Sequence, residues 1–453
     1  MQVVASLFKS YDIRGIYKQN LFDSTAEAIG RAFATYLQPQ KVIVGRDGRT
    51  SGAALHKNLL EGLLDSGVHV VDIGMVSTDE YYYACATLGH PGIMITASHN
   101  PKEYNGFKMV RKIPYLLSGA EGIQEMRQII EQDAFLKVHS LRGEYTTQDV
   151  KSGYLQKLKS LVNTDKLKSL TILADTANGM VGPAIAQLFQ DIPQIKIVPM
   201  YFDPDGTFPN HGGDPLQPKN RLEITERIQQ GEADLGVMFD PDGDRFFAID
   251  RTGRFVPGDF MTAILSAYFL QKYPKSTIVY DIRSSKAVPD TVQKHGGKPL
   301  YNRVGHAYIK KRMMDEDAVF GGEITGHYYF KDYYFCDSGL APLLYLLDAL
   351  SQSNLSLDQI VDEYTNHYFI SGEINNKVAD VSATIASVKS TYAPSANSVI
   401  EVDGVTCEYD DWRFNVRGSN TEPLIRLNVE ADTPEKMAQK RDELLKLIQE
   451  RPY

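Results

Sequence analysis

Asp240, Asp242 and Asp244 stand at alternate positions in the run Asp240-Pro241-Asp242-Gly243-Asp244-Arg245. Three carboxylates spaced this way on a tight turn can aim oxygens at one hard cation, with Pro241 and Gly243 shaping the turn. A calcium loop of the EF-hand type does not fit. Counting from Asp240, the sixth position is Arg245 and the twelfth is Arg251, where glycine and glutamate are required. So few carboxylates suit Mg²⁺ completed by a phosphate oxygen, and Arg245 could hold that phosphate against the metal. The competing reading is an exposed acidic turn.

A second run, Thr96-Ala97-Ser98-His99-Asn100-Pro101, leads on to Lys108. A seryl oxygen carrying a phosphoryl group would act as nucleophile and donor, with His99 and Lys108 placed to balance charge. Alone, Ser98 reads as an ordinary loop serine. In Gly322-Glu323-Ile324-Thr325-Gly326-His327, a carboxylate and a hydroxyl two positions apart suit recognition of neighbouring sugar hydroxyls. A helix N-cap is the alternative role for Glu323. Arg417-Gly418-Ser419-Asn420-Thr421-Glu422-Pro423 has the makings of a phosphate cradle, or of a plain polar turn. Smaller pieces add Arg14 in Tyr11-Asp12-Ile13-Arg14-Gly15, Arg283 after an apparent strand, and a histidine on a glycine loop in Arg303-Val304-Gly305-His306. Each of these three is more readily structural when taken singly.

These loops need elements to hold them. Apolar, β-branched runs at 41–44, 69–73, 93–96, 170–174, 195–200, 235–239, 277–280 and 318–320 read as buried parallel strands. Amphipathic stretches such as 53–64 and 222–230 read as crossover helices, which makes the class α/β. Polar breaks near 142–148, 250–253 and 363–372 divide the chain into 1–147 with the serine loop, 148–252 with the acidic loop, 253–366 with the Glu323 loop and 367–453 with the Arg417 loop. In the last segment, strands at 398–402, 412–416 and 424–428 precede one helix. Thr433 can cap that helix, and Met437, Leu444, Leu445 and Ile448 share a face of it. In open α/β sheets ligands bind beyond the carboxyl ends of strands, so the loops of the first three segments and that of the last could converge on a central cleft.

Composition narrows the partners. The chain has 453 residues, 48 Lys+Arg against 57 Asp+Glu, a formal charge of −9 and 43 % hydrophobic residues. That length implies two to four domains, and the acidic balance argues against nucleic-acid or anionic-membrane partners. The longest mainly apolar stretch, Met261 to Leu270, is about half of what a bilayer span needs. Lys9, Asp12 and Arg14 interrupt any secretory core near the start, so a cytoplasmic protein is expected. Cys85, Cys336 and Cys407 are widely spaced and read as buried thiols. No GxGxxG, GxxxxGK[ST], GxSxG or HExxH occurs, which removes the usual signatures of dinucleotide binding, P-loop, lipase-type and zincin chemistry.

Together, TASHNP (Thr96 to Pro101), DPDGDR (Asp240 to Arg245), GEITGH (Gly322 to His327) and RGSNTEP (Arg417 to Pro423) resemble the α-D-phosphohexomutase family. The likeness is strongest to its bacterial phosphomannomutase and phosphomannomutase/phosphoglucomutase branch. YDIRG (Tyr11 to Gly15), DGTFPNH (Asp205 to His211) and RVGH (Arg303 to His306) agree, and the loops follow the family's order over the whole length. The resemblance implies a heart-shaped protein of three similar mixed α/β domains and a C-terminal α+β domain around a central cleft. It implies that Ser98 carries the phosphoryl group and that Ser98, Asp240, Asp242 and Asp244 bind Mg²⁺. Arg245, Lys108 and His99 would stabilise the transfer, and His306 would move the hydroxyl proton. Glu323 and Thr325 would grip the sugar, and Arg417, Ser419, Asn420 and Thr421 would clamp the non-reacting phosphate. Tyr11, Arg14, Arg283, Gly305 and His327 would make further substrate contacts. The implied reaction interconverts hexose 6- and 1-phosphates of mannose and glucose through a hexose 1,6-bisphosphate, in a monomer or homodimer, with phosphoglucosamine mutase as the enzyme alternative. Two departures stand out: Ile324-Thr325 replaces the more usual Met-Ser, and Arg283 stands where close relatives often have Lys.

Overall fold

The buried apolar runs become the middle strands of mixed sheets in a computed structural model that describes residues 4–119, 121–137, 141–418 and 424–449. The chain divides into two compact units assembled from separated segments. One runs to Phe255 and takes in Thr325–Asn354; the other is Val256–Ile324 together with the chain from Leu355 onward.

In the first unit, strand Lys41–Arg46 lies between His69–Met75 and Gly92–Ile95, parallel to both. Ile29, Phe33, Val42, Val44, Leu59, Ile93 and Phe107 meet beside this sheet in an apolar core. Strand Tyr104–Lys112 then returns antiparallel to Gly92–Ile95, pairing Lys108 with Met94. Strand Ile13–Ile16 pairs antiparallel on its far side, with Arg14 opposite Gly106. This return carries Lys108 back alongside the strand that leads into Ser98. A second sheet places Leu235–Phe239 parallel to Leu170–Asp175, which is in turn parallel to Ile195–Met200. Leu235–Phe239 also forms an antiparallel hairpin with Phe246–Asp250, closed by the pair Phe239 and Phe246. The acidic loop is therefore a hairpin connection rather than a crossover into a helix. Strands Tyr328–Phe330 and Cys336–Asp337 pair as a further hairpin.

In the second unit, Thr277–Asp281 lies parallel to Lys298–Asn302 and to Phe320–Gly322. The strand expected at 318–320 lies two residues later and runs through its glycines, because helix Gly258–Lys272 packs so close that a Cβ on Gly322 would come within 2.2 Å of Thr262 Oγ1. The C-terminal part is an antiparallel sheet in the order Phe369–Ile370, Leu424–Ala431, Trp412–Gly418, Val405–Glu408, Ser398–Ile400, with Ile374–Lys377 also on Leu424–Ala431. Helix Pro434–Gln449 buries Leu444 and Ile448, with Met437 and Leu445 at the margin of the same core. Thr433 Oγ1 accepts the Lys436 N–H at 3.2 Å, the expected cap.

The architecture is multi-domain α/β with an α+β ending. Cys85, Cys336 and Cys407 are buried free thiols. Among the described residues no helix is long and apolar enough to cross a membrane.

Candidate active site

Three residues past the end of strand Gly92–Ile95, Ser98 takes a φ of +49°. This left-handed conformation costs an L-residue about 1–2 kcal/mol, so the surroundings must enforce it. Thr96 Oγ1 accepts the Ser98 N–H at 2.9 Å. Arg49, buried in the loop after strand Lys41–Arg46, supplies the rest. Its Nη2 donates to Ser98 O at 2.5 Å and Asn100 O at 2.7 Å. Its Nη1 donates to Pro101 O at 2.8 Å and Tyr104 O at 2.9 Å, while Nε faces Asp47 Oδ2 at 3.2 Å. All five N–H donors of the guanidinium are thus in use, four of them on carbonyls of the serine loop.

The Ser98 hydroxyl donates to Asp240 Oδ2 at 2.7 Å, and His99 Nδ1 lies 3.2 Å from Ser98 Oγ. Burial, Arg245 and Arg14 push His99 well below its ordinary value, so the ring is neutral near pH 7. Gly243 lets the acidic loop turn with a φ of +74°, where a Cβ would strike Val181 at 2.3 Å. Asp242 Oδ2 accepts from Lys108 Nζ at 2.7 Å, Thr78 Oγ1 at 2.7 Å and Thr96 Oγ1 at 3.2 Å. Lys108 also pairs with Asp244 Oδ2. Burial and the carboxylates of Asp242 and Asp244 push Asp240 well above the carboxylate range. Burial alone would raise Asp242 too, but the Lys108 ammonium and its hydrogen bonds hold it well below that range. Burial works against the charge on Lys108, yet Asp242, Asp244 and Asp240 keep it above its usual value.

One oxygen from each of Asp240, Asp242 and Asp244 lies within 4.8 Å of the others, all buried. Asp242 Oδ1 and Asp244 Oδ1 have no hydrogen-bond partner among the described residues. Buried carboxylate oxygens left unpaired are costly, and this donor set fits a hard divalent cation. Arg245 borders the triad, its N–H on Asp240 Oδ1 at 3.1 Å and its Nε 3.0 Å from His327 Nε2. A guanidinium nitrogen only donates, so His327 Nε2 accepts and the ring proton sits on Nδ1, 2.9 Å from Asp337 Oδ2. Arg14 Nη1 donates to Asn100 Oδ1 at 2.5 Å and its Nη2 pairs with Asp12. Tyr11 is half-buried just before that strand, and Thr325 is half-buried.

The first turn of helix Thr78–Leu88 supports the acidic loop: Thr78 N donates to Asp242 O at 2.8 Å. Ser77 caps that helix with Glu80. Asp79 accepts from Ser77 Oγ at 2.5 Å, Tyr154 OH at 2.6 Å and Ser338 Oγ at 2.9 Å. Burial raises Asp79 to about 6 and Glu80 to about 7.

The second unit builds its own cluster. Arg283 is clamped by Asp281, with Nε 3.0 Å from Oδ1 and Nη2 2.9 Å from Oδ2. Its Nη2 also lies 3.7 Å from Glu323 Oε2. The Glu323 backbone continues into Ile324, whose N–H donates to Asp281 Oδ2 at 3.0 Å. No helix follows Glu323, so the N-cap alternative falls. Arg417 is buried on strand Trp412–Gly418. Four residues earlier on the same face, Arg413 donates to Ser284 O at 2.5 Å and Ile282 O at 3.1 Å, fixing the carbonyls on either side of Arg283. Gly305, with a φ of +128°, caps helix His306–Asp315, which His306 opens. Ser419, Asn420 and Thr421 lie outside the described residues. Sequence reasoning missed Arg49, Asp47, Thr78 and Glu373, for which Asp47-Gly48-Arg49 directly after a strand was the one visible signal.

Sequence models of the four phosphoglucomutase/phosphomannomutase domains match in order: alpha/beta/alpha domain I over residues 5–137, II over 152–253, III over 257–368 and the C-terminal domain over 373–447. A protein named phosphomannomutase from Salmonella montevideo is 38 % identical over 449 residues, covering 97 % of this chain and 98 % of its own. One named phosphohexose mutases, from Xanthomonas campestris pv. campestris, is 38 % identical over 424 residues, 93 % of this chain and 94 % of its own. A crystal structure of a phosphoglucomutase/phosphomannomutase family protein from Burkholderia thailandensis superposes with a TM-score of 0.89 at 30 % identity, covering 99 % of this chain and 98 % of that one. With every domain matched in order, the chain belongs to the phosphoglucomutase/phosphomannomutase family, the group its loops resemble.

Proposed function

We propose that this protein interconverts hexose 6-phosphates and hexose 1-phosphates, of mannose and also of glucose, through phospho-Ser98 and a hexose 1,6-bisphosphate. The observation that carries the reading is the Ser98 hydroxyl 2.7 Å from Asp240 within a buried carboxylate triad bordered by Lys108 and Arg245. Full-length relatives named phosphomannomutase and phosphohexose mutases support it.

In this reading the bond between phosphorus and Ser98 Oγ breaks as a bond forms to the free hydroxyl of the hexose monophosphate. The hydroxyl proton passes to His306, and Ser98 Oγ takes up a proton from water as the phosphoryl leaves. The bisphosphate reorients and returns its other phosphoryl group to Ser98. Arg245 and Lys108 supply positive charge where the phosphoryl charge spreads. Asp240, Asp242, Asp244 and Ser98 would hold Mg²⁺, which adds charge beside the phosphoryl when bound. Glu323 and Thr325 take O3 and O4, common to mannose and glucose, which differ at O2. Arg417, with Ser419, Asn420 and Thr421, takes the other phosphate, and Tyr11, Arg14, Arg283, Gly305 and His327 line the substrate. Segments 1–147, 148–252, 253–366 and 367–453 then carry one task each, in a cytoplasmic monomer or homodimer.

The test is turnover of mannose 1-phosphate with a trace of hexose 1,6-bisphosphate, followed by mass spectrometry of the protein. Turnover with one phosphate on Ser98, both lost in Ser98→Ala, is expected. Turnover persisting within tenfold in Ser98→Ala overturns the reading. Rates on the 1-phosphates of mannose, glucose and glucosamine decide the sugar, and preference for glucosamine would replace it with a phosphoglucosamine mutase.

A further inference from the structure

The positive cluster of the second unit has an anion of its own. Glu373 lies between strands Phe369–Ile370 and Ile374–Lys377, one residue after Gly372. Its Oε2 is 2.8 Å from Arg283 Nη1 and 3.5 Å from Arg417 Nη2, and its Oε1 is 3.1 Å from Arg426 Nη1. Three guanidinium groups converge on one carboxylate. Burial alone would raise Glu373, but Arg283, Arg426 and Arg417 together hold it at about 2, so it is ionised throughout the working range.

The three arginines differ in how firmly they are held. Arg283 is already clamped by Asp281. Arg417 and Arg426 each have a buried Nε with no hydrogen-bond partner among the described residues. For Arg417 the contact with Glu373 is a long one, at a site almost closed to water. Unmet buried guanidinium donors are costly, and a phosphate's three oxygens would satisfy them better than one carboxylate does. Arg283, Arg417 and Arg426 stand against Asp281, Glu323 and Glu373, so the cluster is neutral before any substrate phosphate enters.

We propose that Glu373 is an internal competitor of the substrate's non-reacting phosphate: it holds the arginines together in the free protein and yields Arg417 and Arg426 when a phosphodianion enters. Glu373 thereby sets how loosely the phosphosugar is held. A loose grip matters to an enzyme that must let a bisphosphate go and take it back reversed. The inference rests on the assignment of Arg417 to phosphate binding made above.

The experiment is calorimetric titration of full-length Ser98→Ala protein, which lacks the proposed phosphoryl carrier, with mannose 1-phosphate and separately with inorganic phosphate. Adding Glu373→Gln keeps the shape, removes the charge and is expected to tighten both ligands about tenfold. Glu373→Asp, which retracts the charge, is expected to tighten them about threefold and serves if the glutamine variant does not fold. Unchanged or weaker binding in these variants overturns the proposal. A merely structural role lowers the thermal midpoint without tightening either ligand, and counts against it equally. Arg417→Ala separates the two claims. If it binds mannose 1-phosphate as well as its parent, the phosphate-site assignment fails; if it loses at least tenfold while Glu373→Gln gains nothing, only the competitor fails.

Discussion

Replacing Arg49 by lysine tests whether the strained serine loop is held by one guanidinium. Arginine here uses five donors spread over a plane, reaching Asp47 and the carbonyls of residues 98, 100, 101 and 104. Lysine keeps the charge beside Asp47 but concentrates its donors on one atom, which cannot span carbonyls on both edges of that fork. At least three hydrogen bonds from a charged donor are lost, each worth about 1.5–3 kcal/mol. Part of that loss appears as lower overall stability. The part that frees Ser98 from its φ of +49° is expected to be about 3 kcal/mol, the strain of that conformation adding to the drive to relax. At 1.4 kcal/mol per factor of ten, kcat on mannose 1-phosphate falls about a hundredfold. KM should stay near the parent's, because the proposed sugar and distal-phosphate contacts sit on other loops. The assay is steady-state turnover with bisphosphate primer, paired with thermal unfolding. A variant that unfolds earlier yet keeps kcat within threefold would refute the reasoning, leaving Arg49 a part of the scaffold alone.

Asp242→Asn removes a charge whose second oxygen has no partner, so the Mg²⁺ concentration for half-maximal turnover should rise about a hundredfold; an unchanged Mg²⁺ titration would take Asp242 out of the ligand set. Asp337→Asn can donate to His327 Nδ1, driving the ring proton to Nε2 against Arg245 Nε. Turnover should fall about 10–100-fold with little change in KM, and a larger effect on KM than on kcat would argue against the tautomer account. Glu80 at about 7 and Asp79 at about 6 are raised by burial, so the folded state keeps protons that the unfolded chain releases near pH 4–4.5. Stability from these groups is full below that pH and declines as the pH rises to about 7. The thermal midpoint should drop by a few degrees between pH 5 and 7.5, and Glu80→Gln should flatten that slope; an equally steep slope in the variant would assign it elsewhere.

Most of the parallel strands were legible because their residues are apolar on both faces and bounded by Gly, Asp or Ser, as at Leu235–Phe239. The returning strands were not. Tyr104–Lys112 carries Asn105, Gly106 and Lys108 and reads as loop, because Asn105 and Lys108 are polar yet buried, Asn105 on Ser51 and Lys108 on the acidic loop. Phe246–Asp250 is wholly buried yet follows a six-residue turn too short for the crossover an α/β reading anticipates. Ser98, the triad, Lys108 and Arg245, which the structure brings together, were readable as a candidate group because the proposed metal and phosphoryl chemistry confines the residue types that can serve. Arg49 and Glu373 were not, since an arginine binding carbonyls and a glutamate binding arginines have no local spacing rule. Their roles come from contacts about 50 and 90 positions away in sequence.

The placement of the thiols gives each unit its own built-in reporter. Cys85 and Cys336 lie in the unit that contains Ser98, and Cys407 lies in the sheet that carries Arg417. All three are buried, and burial suppresses the thiolate forms of Cys85 and Cys407, so alkylation must wait for the surrounding packing to open. Timed exposure to a maleimide, read peptide by peptide, would clock the opening of each half of the molecule without introducing a single foreign probe.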